Sequence, residues 1–491
     1  MRARTLLWVV LLPCAAGCYA DRVVGTSGSS RGAEAEAASN KPRVAARIFP
    51  RPDESIGADN PNLGDLDADG FDDFILRGTP YNPEANPKQL AESRYYLFYG
   101  RREFPEQLST ADADAVLRAD RGYFIETLGD INGDGFDDFA LMHEGAVEFM
   151  FGSRERLHGE LAAETAGVTW RHPGVPEDTG IPAELMVSSA GDWNGDGLDD
   201  LLVRAAMSEP LVDPDFGFVA SESNQLVLGA RGAWRSAEWQ PSWSVAEFGF
   251  ETVETGSEDN PTLIDAMLPL GGGDIDGDGR DDLFGYSYAN PLGGLRVFYG
   301  GRTLEHDVLP SQADALLELP PGSEPSGFDD VDGDGALDFL VRMVEGTQIS
   351  IVYGERWSGT MQATTQLTIH LDPLALYSTV MTGDIDGDRA PEIVVASGRS
   401  FTDDGALELA LYVVRGGERL TGDLELDERY LLARDAFPRP SSKFAGIGGL
   451  GIVMAGDVDG DGGRDMLSSV VRTADDPGGV TLIPSGPRPP D

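Results

Sequence analysis

The sequence predicts an all-β protein, a seven-bladed β-propeller with a calcium-binding aspartate loop in each blade. One acidic loop pattern occurs seven times, strand-like apolar runs follow each copy, and the copies lie about one four-stranded blade apart. The composition agrees with this, because 62 glycines and 31 prolines favour turns and 41% hydrophobic residues can fill a core.

The first residues are typical of an export signal. Arg2 and Arg4 precede an apolar stretch that is too short to span a membrane permanently. Ala15-Ala16-Gly17-Cys18 resembles the lipobox of bacterial lipoproteins, in which cleavage leaves a cysteine to be lipidated. We therefore expect residues 1–18 to be a signal peptide and Cys18 to carry lipid. Plain secretion after ordinary signal-peptide cleavage is the alternative.

The remaining chain divides into a linker and one large repeat body. Residues 19–42 contain few large apolar side chains, which predicts a flexible linker, and residues 43–487 contain the seven repeats. We expect an exported protein held at a bacterial membrane, at the outer membrane or cell surface, through lipid alone. The mature chain would have no cysteine pair for a disulfide, so its stability must come from packing and metal.

The charge of the chain limits its partners. There are 84 acidic and 37 basic residues, which gives a net charge of −47 and would repel phosphates and anionic membranes. Nucleic acid is therefore excluded as an expected partner. An acidic excess in a chain with this much apolar residue points to bound cations rather than to disorder.

Each loop has oxygen-bearing side chains at positions one, three, five and nine, and position six is glycine in all but one loop. Hard oxygen ligands around a sharp glycine turn are typical of calcium sites. We expect up to seven calcium ions, held by Asp65, Asp67, Asp69 and Asp73; Asp130, Asn132, Asp134 and Asp138; Asp192, Asn194, Asp196 and Asp200; Asp274, Asp276, Asp278 and Asp282; Asp330, Asp332, Asp334 and Asp338; Asp384, Asp386, Asp388 and Glu392; and Asp457, Asp459, Asp461 and Asp465. We call these loops one to seven. Loop six departs most from the pattern, since Arg389 replaces the turn glycine.

Other interpretations of the loops fit less well. Zinc would need His or Cys, which the loops lack, and magnesium would demand a stricter octahedral geometry. An EF-hand closes with Glu at position twelve, where loops one and two have Leu76 and Leu141. A single loop could be an acidic turn without metal, but a turn does not require carboxylates at fixed alternate positions in seven copies.

The strand-like runs predict the order of each blade as strand, loop, strand, strand, strand. The last repeat lacks its outer strand, because the chain ends soon after a third strand near Val480 to Ile483. The segment from Val44 to Phe49 precedes the first repeat and could supply that strand. Such pairing would close the ring and remove unpaired sheet edges.

With these motifs the sequence resembles the FG-GAP repeat family, found in integrin α-subunit heads and in bacterial surface proteins. The shared features are Gly-Asp before the loop, the Asp-x-Asp-x-Asp-Gly core, the apolar strand after it and strand ends such as Tyr99-Gly100. The resemblance covers about residues 43–487 and implies calcium in the loop that joins the first two strands of each blade, on the lower face. Two details depart from the family: Asp329 stands where glycine usually precedes the loop, and the Gly-Ala-Pro element is only approximated in Arg77–Pro80.

For function, the sequence favours binding over catalysis. The five histidines occur singly, there is no Gly-x-Ser-x-Gly elbow, and the recurring aspartates are already assigned to metal. We expect adhesion, or binding of an unidentified protein or polysaccharide, and no enzyme activity. The alternative is an extracellular hydrolase or lyase that acts on polysaccharide from a propeller scaffold.

Insertions indicate where a partner would bind. Long segments at residues 77–94, 204–224, 245–262 and 397–406 are expected on one face, opposite the metal loops, where loops on a rigid scaffold often recognise partners. Aromatic residues that we expect to be exposed there are Tyr81, Phe216, Phe218, Phe248 and Phe250.

Overall fold

The computed structural model is a seven-bladed β-propeller, as the sequence predicts. It describes residues 46–58, 61–80, 93–119, 124–143, 145–163, 167–173, 183–210, 218–232, 234–254, 262–287, 294–320, 323–343, 348–371, 375, 377–400, 407–427, 429–437, 452–470 and 478–484. The signal peptide, Cys18, the linker, Val44, Ala45, Tyr81 and Phe216 lie outside the described residues.

Each blade is an antiparallel sheet of four main strands, and an aspartate loop joins its first strand to its second. In blades one to three the strands are β2 (Glu54–Gly57) with β3 (Asn62–Gly64), β4 (Asp73–Pro80), β5 (Ser93–Phe98) and β7 (Ala115–Ala119); β8 (Phe124–Gly129), β9 (Asp138–His143), β10 (Ala146–Met150) and β12 (Val168–Arg171); and β13 (Ala183–Gly191), β14 (Asp200–Pro210), β15 (Phe218–Val227) and β17 (Ala246–Phe248). In blades four to six they are β19 (Thr262–Gly273), β20 (Asp282–Ser287), β21 (Gly294–Phe298) and β23 (Ala315–Glu318); β24 (Ser323–Asp329), β25 (Asp338–Met343), β26 (Gln348–Val352) and β28 (Leu367–His370); and β29 (Tyr377–Gly383), β30 (Glu392–Ser400), β31 (Leu407–Val414) and β33 (Leu431–Phe437).

The ring closes through the N-terminal strand, which confirms the predicted pairing. Blade seven consists of β34 (Ile452–Gly456), β35 (Asp465–Val470), β36 (Gly479–Ile483) and then β1 (Ala46–Phe49). β1 is antiparallel to β36, with Ala46 opposite Leu482 and Ile48 opposite Val480. Blade seven therefore unites the two ends of the described chain.

Short parallel strands, which the sequence did not predict, link neighbouring blades. Each arises in the connection between the third and fourth strands of one blade and pairs with the outer strand of the preceding blade. They are β6 (Gln107–Ser109) on β1, β11 (Gly159–Ala162) on β7, β16 (Ala237–Glu238) on β12, β22 (Asp307–Val308) on β17, β27 (Gly359–Gln362) on β23 and β32 (Gly422–Glu425) on β28. These pairings cover outer edges that would otherwise be open to another chain.

The hydrophobic core lies between the blades. The described residues form seven buried clusters, and each fills one junction between adjacent blades. Between blades one and two, for example, Leu97 and Leu117 pack with Leu141. Because side chains alternate across a strand, each blade contributes one face to each of two junctions, so the fold depends on a closed ring.

Two segments predicted as insertions are largely regular strands. Residues 204–210 and 218–224 extend the hairpin of β14 and β15, which stay paired out to Pro210 and Phe218. Residues 245–262 include β17 and β18 (Phe250–Glu254), and β18 pairs with the start of β19.

The expectation that Phe248 is exposed is wrong. Phe248 is 5% exposed and packs edge-on against Phe298, with ring centroids 5.6 Å apart. It ends the outer strand of blade three on the face that meets blade four, so alternation along the strand directs it into the junction. The side chains of Phe218 and Phe250 lie outside the described part of the chain. Within that part, no helix has the length and apolar character needed to cross a membrane.

Candidate metal sites

The loops share one hydrogen-bonded conformation. In each of the seven, the carboxylate at position one accepts the backbone N–H groups of positions five and six. In loop one, Asp65 accepts from Asp69 at 3.1 Å and from Gly70 at 2.9 Å. These bonds wrap the loop around its first aspartate, and the glycine at position six takes a positive φ that other residues adopt only with strain.

The carboxylate at position nine joins the loop to the third strand of the same blade. One oxygen of Asp73 accepts from the N–H of Leu66 at 2.9 Å, and the other accepts from Gly100 at 2.8 Å. A Cβ atom added to Gly100 would lie 2.5 Å from the carbonyl oxygen of Asp72, so no larger residue fits there. This contact explains why a glycine follows the aromatic residue at the end of the third strand.

In five loops the carboxylates at positions one, three and nine converge, with one oxygen from each within 4.8 Å of the others. These clusters are Asp65, Asp67 and Asp73; Asp274, Asp276 and Asp282; Asp330, Asp332 and Asp338; Asp384, Asp386 and Glu392; and Asp457, Asp459 and Asp465. The aspartates at position five, including Asp69 and Asp278, do not belong to these clusters, and one of their oxygens accepts the N–H of position seven. Their role as ligands stays a prediction.

Loops two and three have an amide at position three and so contain two carboxylates where the others have three. In loop two, the Asn132 amide donates to both oxygens of Asp138, at 3.0 and 3.3 Å. Position nine is again buried, at Asp138 and at Asp200. The predicted ligands of these two loops therefore share the loop conformation, with one negative charge fewer.

The carboxylates at position nine are buried, and burial disfavours their ionised form. Burial, partly offset by backbone hydrogen bonds and reinforced by neighbouring aspartates, raises the pKa of Asp73, Asp138 and Asp338 to about 8. The same causes raise the pKa of Glu392 to about 7. Proximity to a cation reverses such a shift, because it favours the ionised form.

The donor set fits a hard divalent cation. Among the described residues, Asp67 Oδ1, Asp200 Oδ2 and Glu392 Oε1 are buried oxygen atoms without a hydrogen-bond donor. Buried charged groups are normally paired or bound to metal, and oxygen-only ligands favour calcium or magnesium over transition metals. Several of these acidic triads can hold a metal ion.

A further aspartate, at position eight, connects the loops around the ring, and sequence reasoning missed it. Asp137 of loop two accepts the N–H of Asp65 in loop one at 2.8 Å, and Asp199 of loop three accepts the N–H of Asp130 at 2.8 Å. Asp281 and Asp72 accept from loops three and seven in the same way. The signal in the sequence is the Asp-Asp doublet that ends loops one to four.

This contact accounts for the missing glycine before loop five. A Cβ atom at Gly64 would lie 2.2 Å from Asp137 Oδ2, so a position-eight aspartate in the next blade requires glycine before the loop. The next loop around the ring, loop six, has Pro391 at position eight, and proline offers no carboxylate. Asp329 takes the glycine's place and accepts the N–H of Asp330 at 3.1 Å.

Loop six stores backbone strain at Arg389. This residue has φ +77° at the position where the other loops have glycine. Because a positive φ costs a non-glycine residue about 1–2 kcal/mol, we expect Arg389→Gly to raise the free energy of unfolding by about 1 kcal/mol. The measurement is the urea unfolding midpoint in excess calcium. Arg389→Ala is the control, since it removes the guanidinium and keeps the strain, and an equal gain from both variants would contradict this explanation.

Comparison with known proteins agrees with this geometry. A model of the FG-GAP-like repeat matches residues 330–395, which run from loop five into the second strand of blade six. The same loop, strand order and glycine contacts recur around the ring. The chain is a β-propeller with an FG-GAP-like repeat. This propeller also aligns with the solved structure of BBS1N in complex with ARL6DN, soaked with lead, at 12% identity and a TM-score of 0.32, over 92% of this chain and 98% of that one. A likeness at that level carries no argument about function.

The described histidines of the propeller mostly pair with acidic side chains nearby. His143 on β9 lies 3.1 Å from Glu148 on β10, and His370 on β28 lies 3.1 Å from Asp423 on β32. These contacts join neighbouring strands within a sheet.

Proposed function

We propose that this FG-GAP propeller is an exported binding module that calcium stabilises and that recognises a protein or polysaccharide through the face opposite its aspartate loops. The observation that carries the proposal is the separation of two ends: acidic loops at one, extended hairpins at the other.

Calcium is the ion that suits the loops. Positions one, three and nine would hold it, with the position-five aspartate as a further ligand, and the ion would neutralise carboxylates that are otherwise buried together. Calcium accepts six to eight oxygen ligands in irregular geometry, as a loop of this kind offers. The ion's role is structural, because each loop also contacts the next blade.

The topology supports this choice of binding face. Antiparallel strands alternate direction, so connections between second and third strands leave the blade at the end away from the aspartate loops. In blade three, β14 and β15 stay paired out to Pro210 and Phe218, at the end of the blade away from its aspartate loop. A partner that approaches from this end could contact the hairpin.

The predicted export signal supports the proposed location, and the net charge supports the limits on partners. A lipid on Cys18 would tether the propeller to a bacterial membrane, with the linker of residues 19–42 as spacer, and plain secretion would leave it free. The net charge of −47 disfavours nucleic acid and anionic membranes as partners.

Shortening the hairpin of blade three tests the binding face. Replacement of residues 209–219 by Asn-Gly keeps the pair Ser208 with Ala220 and permits a tight hairpin turn. We expect stability to change by no more than about 0.5 kcal/mol, because none of the predicted metal ligands is removed. Binding to a glycan array and to an array of extracellular proteins, both in calcium, should weaken.

The comparison variant is Asp276→Ala with Asp278→Ala, which should destabilise blade four and affect binding only through the fold. Unchanged binding by the shortened hairpin, and by equivalent changes in the hairpins of blades one and six, would contradict this binding face. Turnover of a polysaccharide that a single carboxylate change outside the loops abolishes would favour the enzyme instead.

A further inference from the structure

Three blades carry a second repeated motif at the same end as the aspartate loops. The sequence Glu-Arg-x-x-Gly occurs at residues 155–159, 355–359 and 418–422. Each copy lies between the third and fourth strands of its blade, and its glycine begins the parallel strand that pairs with the preceding blade. The motif therefore fixes an arginine at the junction between two blades.

Each of these arginines reaches into the aspartate loop of the preceding blade. Arg156 donates to Asp67 and Asp69 of loop one. Arg356 donates to Asp276 of loop four at 2.5 Å and lies 3.6 Å from Asp278.

Arg419 makes the same contact in loop five, where it donates to Asp332 at 2.6 Å and to Asp334 at 2.9 Å. In all three loops the partners are therefore the carboxylates at positions three and five. The position-three side chains are almost fully buried, with 6%, 1% and 3% exposed for Asp67, Asp276 and Asp332.

A tyrosine of the preceding blade holds each guanidinium in place. Arg156, Arg356 and Arg419 lie over the rings of Tyr99, Tyr299 and Tyr353, at 4.6, 4.5 and 4.8 Å from the ring centroids. The tyrosine hydroxyls in turn bond the backbone of Leu157, Trp357 and Leu420, the residues that follow the arginines. The arginines are thus positioned by the blade junction, and the pairing is not a chance surface contact.

All three arginines contact loops whose position three carries a charge, although loops six and seven also have aspartate there and lack this motif. Loops one, four and five have aspartate there, whereas loops two and three have Asn132 and Asn194. At loop two, Arg231 donates instead to the carbonyl oxygen of Gly133, at 2.8 Å. Counted over the four predicted ligand positions and these arginines alone, four carboxylates with one guanidinium carry the same net charge as three carboxylates with one amide.

We propose that Arg156, Arg356 and Arg419 are built-in counter-charges that weaken calcium binding at loops one, four and five and keep these loops formed when calcium is scarce. The inference rests on the proposed binding of calcium by the loops. Both effects have one cause: a fixed positive charge relieves repulsion among the empty carboxylates and repels an incoming cation. Asparagine in loops two and three achieves the same balance by removing a carboxylate.

The test measures calcium affinity loop by loop in the full chain. Hydrogen exchange of the peptide covering residues 274–282 is followed during titration with calcium chloride, and residues 130–138 serve as the internal reference. In Arg356→Gln we expect the calcium midpoint of residues 274–282 to fall about tenfold or more, the lower range of what a neighbouring charge does to a carboxylate's proton affinity. Exchange there in chelator should become faster, with the reference loop unchanged.

Two further variants guard against a general loss of structure. Arg302→Gln is the matched control, since Arg302 also lies over an aromatic ring, Phe298, but pairs with Asp314 outside the loops. It should leave the midpoint unchanged. The double variant Arg356→Gln with Asp276→Asn reproduces the pattern of loops two and three, and we expect it to return the midpoint to within about threefold of the parent, the usual context dependence of such contacts.

The outcomes separate this inference from the proposed function. If calcium protects no loop in the parent, calcium binding itself is wrong and the inference fails with it. If calcium protects the loops but the Arg356→Gln midpoint is unchanged or higher, calcium binding stands and the counter-charge role is overturned.

Discussion

Chelation of calcium is expected to lower the melting temperature of the intact propeller by more than about 10 °C. A ligand that binds only the native state adds about 2.7 kcal/mol per site at a hundredfold excess over its Kd, and several loops act together. Because each loop also bonds to the next blade, as Asp65 does to Asp137, loss of the ion should loosen the junctions as well as the loops. The measurement is a thermal melt in calcium and in excess EGTA.

Magnesium provides the control for ion identity. Returned calcium should restore the melting temperature at far lower concentration than magnesium does, since the loops offer many ligands in irregular geometry. A melting curve that excess chelator leaves unchanged would contradict calcium as a structural ion. Equal restoration by both ions would mean that the site is small and octahedral, against the present interpretation.

The sequence was sufficient to predict those parts of the fold that depend on local residue patterns. Aspartates at alternate positions with a turn glycine specify one loop conformation, so Asp65 and Gly70 predict the same geometry in every copy. Ring closure also followed from the sequence. The last blade has three predicted strands and a strand-like segment before blade one has no other assignment, so pairing the two completes the blade. The observed register, with Ile48 opposite Val480, agrees with it.

The parts that the sequence did not predict depend on contacts between blades. Asp137 looks like a duplicate of the ligand Asp138, and only the approach of blade two to blade one shows that it holds the N–H of Asp65. The arginines are a similar case, since Arg356 and Asp276 are distant in sequence and meet only across a junction. Phe248 was assigned to the surface because its strand was mistaken for a loop.

Loss of β1, the strand that closes the ring, should have the second large effect on stability. Deletion of residues 43–49 removes β1, which exposes the edge of β36 and leaves the junction between blades seven and one without Ala46 and Ile48. An unpaired edge beside exposed apolar surface favours aggregation. We expect the variant to be recovered mainly as aggregate and to be cut rapidly by protease, as measured by size-exclusion chromatography and limited proteolysis in calcium. A deletion of equal length in the linker, residues 31–37, is the control and should behave like the parent.

A pair of point variants on β1 separates closure from mere truncation. Ile48 is fully buried in the junction, whereas Arg47 on the same strand faces outward. Ile48→Asp places an unpaired charge in the core and should cost several kcal/mol, while Arg47→Asp adds an acid to the same strand at little cost. If Ile48→Asp melts within a few degrees of Arg47→Asp, then β1 does not hold the ring closed. If it unfolds while Arg47→Asp does not, the stability of all seven blades depends on a single N-terminal strand, because each blade is packed only through its neighbours.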